Sequence, residues 1–389
     1  MDRKKIVIFG AGKIGRSFIG QLFSTNGFEV VFIDISEAII NALNQRGNYN
    51  VLIKSETGSV INVKNVRGVW VNNTSQVFDE VASTNLIAIS VGQNGLKKIM
   101  ELLSKCLTPR LDPQASKVDI IIAENLRNAA DFLRSGLAEY NPAFETDTEN
   151  IGYIETSIGK MVPIMKREDE EADILQVFAE PYNTLIVDKN AFKNPVPKIA
   201  GLAPKGNMKA WVDRKLFIHN LGHVATAYLG HIHNPKFIYL FEALAVAEVY
   251  TKVRETMLQS ARILAKKYPE EFTLEQLTEH IDDLLFRFQN RALGDTIYRV
   301  GCDLFRKLGP DDRLSGAINL AIQMKMPYDK IAHVLLCGAE FRATDETGAM
   351  LDSDKQFFAI HQNGIEKVLS GICGFDQQIC SKIIHYRFL

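Results

Sequence analysis

Three glycines fall in the string Gly10-Ala11-Gly12-Lys13-Ile14-Gly15, directly after the apolar run 5–9. In such a string the first glycine permits a tight turn and the second lets a pyrophosphate approach the backbone. The third allows close helix–strand packing, and the start of the following helix adds partial positive charge. Asp34 stands 19 residues beyond Gly15, at the end of the next apolar run. A carboxylate there accepts hydrogen bonds from a ribose 2′-hydroxyl and repels a 2′-phosphate. The loop therefore fits a dinucleotide and favours NAD over NADP, with FAD as the residual alternative; the plainer reading is an ordinary turn in which Asp34 caps the next helix. Gly10, Gly12, Lys13, Ile14, Gly15 and Asp34 are the expected cofactor residues. Ser90, Val91 and Gly92 join them, because they end a third apolar run at the sheet edge where ligands lie in such folds.

A second constellation, Lys215-Leu-Phe-Ile-His219-Asn220-Leu-Gly-His223, lies in a segment of helical periodicity. At about 100° per residue, with Lys215 at zero, Asn220 falls near 140° and His223 near 80°, so the three share one face within roughly 140°. That face suits hydride-transfer chemistry, which needs a base for the hydroxyl proton and donors for the oxygen on which charge develops. A buried lysine loses charge stabilisation, so its pKa falls towards neutrality. Lys215 is the expected base, Asn220 the polariser of the carbonyl, and His223 a holder of hydroxyls; a solvated face or a satisfied core position is the plain alternative for each. A metal reading competes, since His219, His223, His231 and His233 put half of the eight histidines within 15 residues. Asn220 occupies the place of the glutamate in H-E-x-x-H and no cysteine lies in the cluster, so no metal is expected.

The elements that must position these residues change character along the chain. Compact runs at 5–9, 29–33, 86–90 and 119–123 alternate with amphipathic segments near 36–45, 95–105 and 128–138. Strands interleaved with helices predict an α/β fold with a parallel, doubly wound, Rossmann-like sheet. Residues 49–63 alternate on both sides of Glu56-Thr57-Gly58-Ser59 and predict a β-hairpin insertion. Further strands are expected at 151–158 and 184–187, ahead of a stretch bearing Pro195, Pro197 and Pro204. The boundary is drawn there, giving a dinucleotide-binding domain over 1–199 and a mostly α-helical substrate-binding domain over 200–389. Segments 207–230, 236–267, 274–291 and 313–323 carry the helical period. No repeat of 20–50 residues and no low-complexity tract is found.

Composition narrows the function. The 389 residues are 46% hydrophobic and 23% charged, with 45 Lys+Arg against 46 Asp+Glu. A near-neutral balance argues against nucleic acid or an anionic membrane as partner. Five scattered cysteines without Cys-x-x-Cys indicate neither a disulfide framework nor a zinc knuckle. The opening residues lead into only four apolar positions before glycine, and no run approaches membrane-spanning length. No signal peptide or transmembrane helix is expected, and the default address is the cytoplasm.

Together these motifs resemble those of the polyol-specific long-chain dehydrogenases. The likeness rests on residues 10–20, on Ile121-Ile122-Ala123-Glu124-Asn125, on Ile186-Val187-Asp188-Lys189, on residues 214–230, and on Arg306-Lys307-Leu308 with Asp312-Arg313-Leu314. The resemblance implies metal-independent, NAD-linked oxidation of a secondary alcohol, with Lys215 as base, Asn125 and Asn220 polarising the reacting oxygen, and His223 holding substrate. It assigns Glu124 no role. It implies a reaction site in the cleft between the two domains, a sugar phosphate or polyol as partner, and a monomer or homodimer. The leading substrate pair is D-mannitol 1-phosphate and D-fructose 6-phosphate. The alternatives are a hexuronate reductase acting on tagaturonate or fructuronate, a mannitol 2-dehydrogenase acting on unphosphorylated substrate, and, from another class, a non-catalytic NAD sensor that would not need to keep Lys215.

Two features bear on the substrate. Where related enzymes carry Val-Asp-Arg before a proline, this chain has Ile158-Gly159-Lys160-Met161-Val162-Pro163, so the expected aspartate is missing and arginine has become lysine. Phosphate recognition calls for cations, and Arg299, Arg306, Lys307 and Arg313 form the densest group that the resemblance places near the site, with Arg299 preferred. Arginine suits the role through its bidentate fork.

Overall fold

The computed structural model describes residues 4–146, 149–163 and 165–388. It divides into two compact units, Met1–Val212 and Asp213–Leu389.

The first unit is an α/β structure with eleven strands among the described residues: β1 (Lys5–Phe9), β2 (Glu29–Asp34), β3 (Asn48–Ile53), β4 (Ser59–Lys64), β5 (Val66–Trp70), β6 (Leu86–Ile89), β7 (Val118–Ile122), β8 (Ile151–Ile158), β9 (Val177–Ala179), β10 (Leu185–Asp188) and β11 (Leu202–Lys205). Eight of them form one sheet in the order β11-β10-β8-β7-β6-β1-β2-β5, parallel except where β10 meets β8. Because side chains alternate across a strand, the sheet builds two cores. Ile6, Ile8 and Phe32 enter one, whereas Val7, Phe9, Val31 and Ile33 enter the other. Burial on both faces is why these strands read as continuous apolar runs.

The expected hairpin is present as β3 and β4, paired antiparallel from Asn48↔Lys64 to Ile53↔Ser59. It also pairs in parallel with β9 through Val51↔Val177, making a separate three-stranded sheet. Strands β5, β9 and β11 escaped the sequence reading because Arg67 and Gly68 interrupt the apolar run of β5, β9 has only three residues, and β11 carries Pro204. A proline is tolerated there because β11 is an edge strand. Since β11 belongs to the large sheet, the first unit runs past the cut drawn after residue 199, and the division falls within the helix Met208–Arg214.

The second unit is helical, and its only cross-strand contact outside named strands is the bridge Tyr239↔Thr296 among the described residues. The expected segment 236–267 is broken into the helices Leu240–Leu244 and Ala247–Lys267. Helices at Asp329–Ala339, Asp352–His361, Ile365–Gly371 and Gln377–His385 complete the unit. Leu221–His233 is a central helix, with small residues on the sides where neighbours approach. A Cβ on Gly222 would lie 2.5 Å from Met257, and one on Gly230 would lie 2.5 Å from Ala243. These glycines let the helix sit close to Ala247–Lys267 and Leu240–Leu244, fixing the segment that follows Lys215.

Candidate active site

In the first unit, the residues expected to hold a cofactor collect at the carboxyl ends of β1, β2, β6 and β7. Gly10 has φ +100°, and a Cβ there would collide with the Ser90 carbonyl. A Cβ on Gly15 would collide with the Gly10 carbonyl, whereas nothing lies within 4 Å of the Cβ position of Gly12. Gly10 and Gly15 are therefore required by packing, and Gly12 is the residue that leaves space for a ligand. Ser90 braces the turn from the next strand, with Oγ donating to the Gly10 carbonyl at 3.3 Å. Lys13 is exposed and pairs with Glu170 at 3.2 Å.

Asp34 is more than a free acceptor at a strand end. Its Oδ2 accepts from the Ala11 N–H at 2.7 Å, and its Oδ1 accepts from the Ser36 N–H at 2.8 Å. Ser36 is the residue that caps the helix Glu37–Arg46, through its own side chain. The carboxylate thus ties the glycine loop to the end of β2, and lone pairs remain for a ribose.

The loop after β6 is held by a residue that the sequence reading gave no role. Glu124 is buried at the end of β7, and its Oε1 accepts from the Gly92 N–H at 2.7 Å. Burial raises its pKa, and hydrogen bonds from the Gly92 and Val91 backbones oppose that rise. Gly92 itself has φ +76°. Asn125, the next residue, is exposed at the same sheet edge, and its carbonyl accepts from Gln93 Nε2 at 3.2 Å. Lys160 is engaged by side chains of the first unit. It is buried, donates to Asn183 at 2.7 Å and Gln21 at 3.2 Å, and is lowered to about 8 by burial, against the pull of Glu180.

In the second unit, Lys215–Asn220 is not the α-helical turn that the sequence arithmetic assumed; it is a π-helical turn leading into Leu221–His233. A π turn closes i→i+5 hydrogen bonds, so residues five apart stack along the axis. The 140° offset between Lys215 and Asn220 therefore shrinks, and the two come onto one face. The wide turn is supported from outside: Ser260 Oγ, buried on the helix Ala247–Lys267, donates to the Phe217 carbonyl at 2.5 Å. Ahead of it, the buried Asp213 accepts from Tyr268 at 2.6 Å and from Lys267 at 3.1 Å.

The charges around this turn are predominantly positive. Burial, helped by the charge of Arg313, lowers the Lys215 pKa to about 8. His223 is pushed well below the ordinary histidine value by burial and by Arg299, Arg313, Lys307 and Arg287. His219 is pushed down likewise by burial, Arg287, His223 and Lys215. Both histidine rings lie against Phe288, His223 stacked at 4.8 Å and 21° and His219 tilted at 5.6 Å and 58°. Among the described residues, no group of three or more His, Cys, Asp or Glu is placed to hold a metal.

His223 and Arg299, both expected ligands of the substrate, meet on one buried carboxylate. His223 Nε2 lies 3.1 Å from Asp295 Oδ2, and Arg299 pairs with Oδ1 of the same residue. Asp295 escaped the sequence reading because Gly294-Asp295-Thr296 looks like an ordinary helix start, with Thr296 as the cap. The remaining phosphate candidates separate. Arg313 is buried and donates to Asp312 at 2.6 Å. Lys307 is buried, donates to the Val300 carbonyl at 2.7 Å and is lowered to about 8 by burial. Arg306 is exposed and turns to Asp303, which sets it apart from the buried Lys307 and Arg313.

Comparison with known proteins covers both units. Residues 4–201 match the mannitol dehydrogenase Rossmann domain, and residues 207–372 match the mannitol dehydrogenase C-terminal domain. The mannitol-1-phosphate 5-dehydrogenase of Buchnera aphidicola subsp. Acyrthosiphon pisum (strain APS) is 30% identical over 392 residues, covering 99% of this chain and 98% of that protein. The Streptococcus mutans serotype c protein of the same name is 35% identical over 316 residues, 80% of each chain. Among solved structures, a substrate-free D-sorbitol dehydrogenase matches with a TM-score of 0.80 at 17% identity, covering 99% of this chain and 92% of that one. A Pseudomonas fluorescens mannitol 2-dehydrogenase in complex with NAD and D-mannitol matches with a TM-score of 0.76 at 14% identity, over 99% and 90%. The two solved structures share the fold; the domain matches and the curated relatives establish that the chain belongs to the mannitol dehydrogenase family and is a polyol dehydrogenase.

Proposed function

We propose that the chain catalyses D-mannitol 1-phosphate + NAD+ ⇌ D-fructose 6-phosphate + NADH + H+, with Lys215 as the base. The observation that carries this reading is Lys215 itself, an amine brought to about 8 by burial at a turn that also presents Asn220. The curated relatives named mannitol-1-phosphate 5-dehydrogenase support the phosphorylated substrate.

The first unit fits a dinucleotide. Gly12 leaves open space beside the backbone, Asp34 offers a carboxylate at the ribose position, and Ser90, Val91 and Gly92 border the loop. Bound there, NAD+ supplies a hydride acceptor. Lys215 takes the proton of the alcohol that is oxidised and returns it when the ketone is reduced. Asn220 and Asn125 are neutral donors that stabilise charge on the reacting oxygen without holding the product too tightly. His223 accepts from a neighbouring hydroxyl, and Arg299, Lys307 and Arg313 supply the positive field for the phosphate.

A second reading has one observation in its favour. Arg299 and Arg313 are engaged by Asp295 and Asp312, and Lys307 by a carbonyl, so these cations serve an unphosphorylated polyol or a hexuronate equally well. NADH oxidation by the purified, chelator-treated protein with fructose 6-phosphate, fructose, tagaturonate and fructuronate separates the two. Fast turnover of fructose 6-phosphate alone is expected; preference for any of the others overturns the phosphorylated substrate and leaves the dehydrogenase chemistry standing.

A further inference from the structure

We infer that Asp295 is a positioning residue that fixes the tautomer of His223 and the direction of Arg299 at once. The inference rests on the substrate-facing roles proposed above for His223 and Arg299. Asp295 is 6% exposed, and its two oxygens are divided, Oδ2 to His223 Nε2 and Oδ1 to Arg299. An ionised carboxylate only accepts, and a guanidinium only donates. The proton of a neutral His223 must therefore sit on Nε2, which leaves Nδ1 as the acceptor that the ring can offer to a substrate hydroxyl. Phe288, stacked on the ring at 4.8 Å, leaves the imidazole little freedom to turn away.

The arrangement has an unusual consequence for the most conservative substitution. In D295N the side chain has one acceptor and one donor, and Arg299 can engage only the acceptor. The amide nitrogen then faces His223, so Nε2 must accept and the ring proton moves to Nδ1. A near-isosteric change thereby inverts what His223 offers to the substrate. If Asp295 were merely structural, D295N would leave the tautomer alone, and its effects would add to those of changing His223.

The test uses the full chain with 15N-labelled histidine at pH 7.5, assigning His223 by its loss in H223A. Wild-type protein should show His223 protonated on Nε2 and D295N should show it on Nδ1. The kcat/KM of D295N should fall about a hundredfold, as expected when the group that holds a substrate hydroxyl presents the wrong nitrogen. The double variant D295N/H223A should be no worse than H223A beyond about twofold, because coupled residues do not add. A wild-type His223 protonated on Nδ1, an unchanged tautomer in D295N, or additive losses would each overturn the inference while leaving the site reading intact. Full turnover in H223A would overturn the site reading and this inference with it. The wild-type spectrum decides the tautomer even if D295N fails to fold.

Discussion

The hydroxyl of Ser260 donates to the Phe217 carbonyl at 2.5 Å, inside the wide turn that separates Lys215 from Asn220. The first unit repeats the device: Gly15–Gly20 is also a π-helical turn, and Tyr49 Oη donates to the Arg16 carbonyl at 2.7 Å. A π turn disturbs the regular i→i+4 ladder, and an outside hydroxyl satisfies a carbonyl at each place. Ser260→Ala should therefore cost about 1–2 kcal/mol in a urea melt, since a buried acceptor loses its donor. It should also lower kcat several-fold as the turn relaxes towards α geometry and Lys215 leaves the face of Asn220. An S260A protein with unchanged kcat and midpoint would separate the turn from the chemistry.

The lowered pKa of Lys215 sets the direction of the pH dependence. With Lys215 as the proposed base, oxidation needs the free amine, so its rate should rise with pH through about 8. Reduction needs the ammonium and should fall above the same value. Arg313 helps to lower the Lys215 pKa, so Arg313→Met should move both limbs to higher pH. Lys215→Ala should lose about a thousandfold or more in kcat, with NADH binding preserved when followed by fluorescence titration. Full turnover in K215A would remove lysine from the reaction.

The parallel sheet was legible because each central strand is an unbroken apolar run buried on both faces, and the glycine string needs only local spacing. What was not legible depends on partners far apart in sequence. Asp295 reads as a turn residue until His223, 72 positions earlier, is seen against it. The π turn at Lys215 has no local signature, because the hydroxyl that supports its Phe217 carbonyl belongs to Ser260, 43 positions beyond Phe217. Glu124 lies beside Asn125 in the run Ile121–Asn125, yet its bond to Gly92 spans 32 positions. Arg306 and Arg313 look equivalent in sequence, and only burial separates them.

Glu124 provides a test of how the first unit holds its loops. Its carboxylate receives the Gly92 N–H at 2.7 Å, and Gly92 belongs to the segment proposed to border the cofactor. Glu124→Ala leaves that amide without its buried partner, which costs about 1–3 kcal/mol. The cost should appear as a KM for NADH raised about tenfold, with kcat at saturation nearly unchanged. Glu124→Gln keeps an acceptor and should stay within about threefold of the wild type. If both variants bind NADH normally, the loop is held by other contacts.

Asp34 should govern the choice of coenzyme in two separable ways. Its charge repels a 2′-phosphate, and its bonds to the Ala11 and Ser36 amides hold the glycine loop against β2. Asp34→Asn removes the charge while keeping one acceptor, so use of NADPH should improve, with only a small loss for NADH. Asp34→Ala removes both acceptors as well, so the KM for NADH should rise about tenfold or more as the loop loses two charge-assisted bonds. The ratio of kcat/KM for NADH over NADPH should drop by at least about tenfold in both variants, since like-charge contact costs several kcal/mol. Initial rates with each coenzyme at fixed fructose 6-phosphate give the ratio directly. An unchanged ratio in D34N would mean that discrimination against the 2′-phosphate comes from elsewhere in the loop, leaving Asp34 with the purely structural task that its two backbone bonds describe.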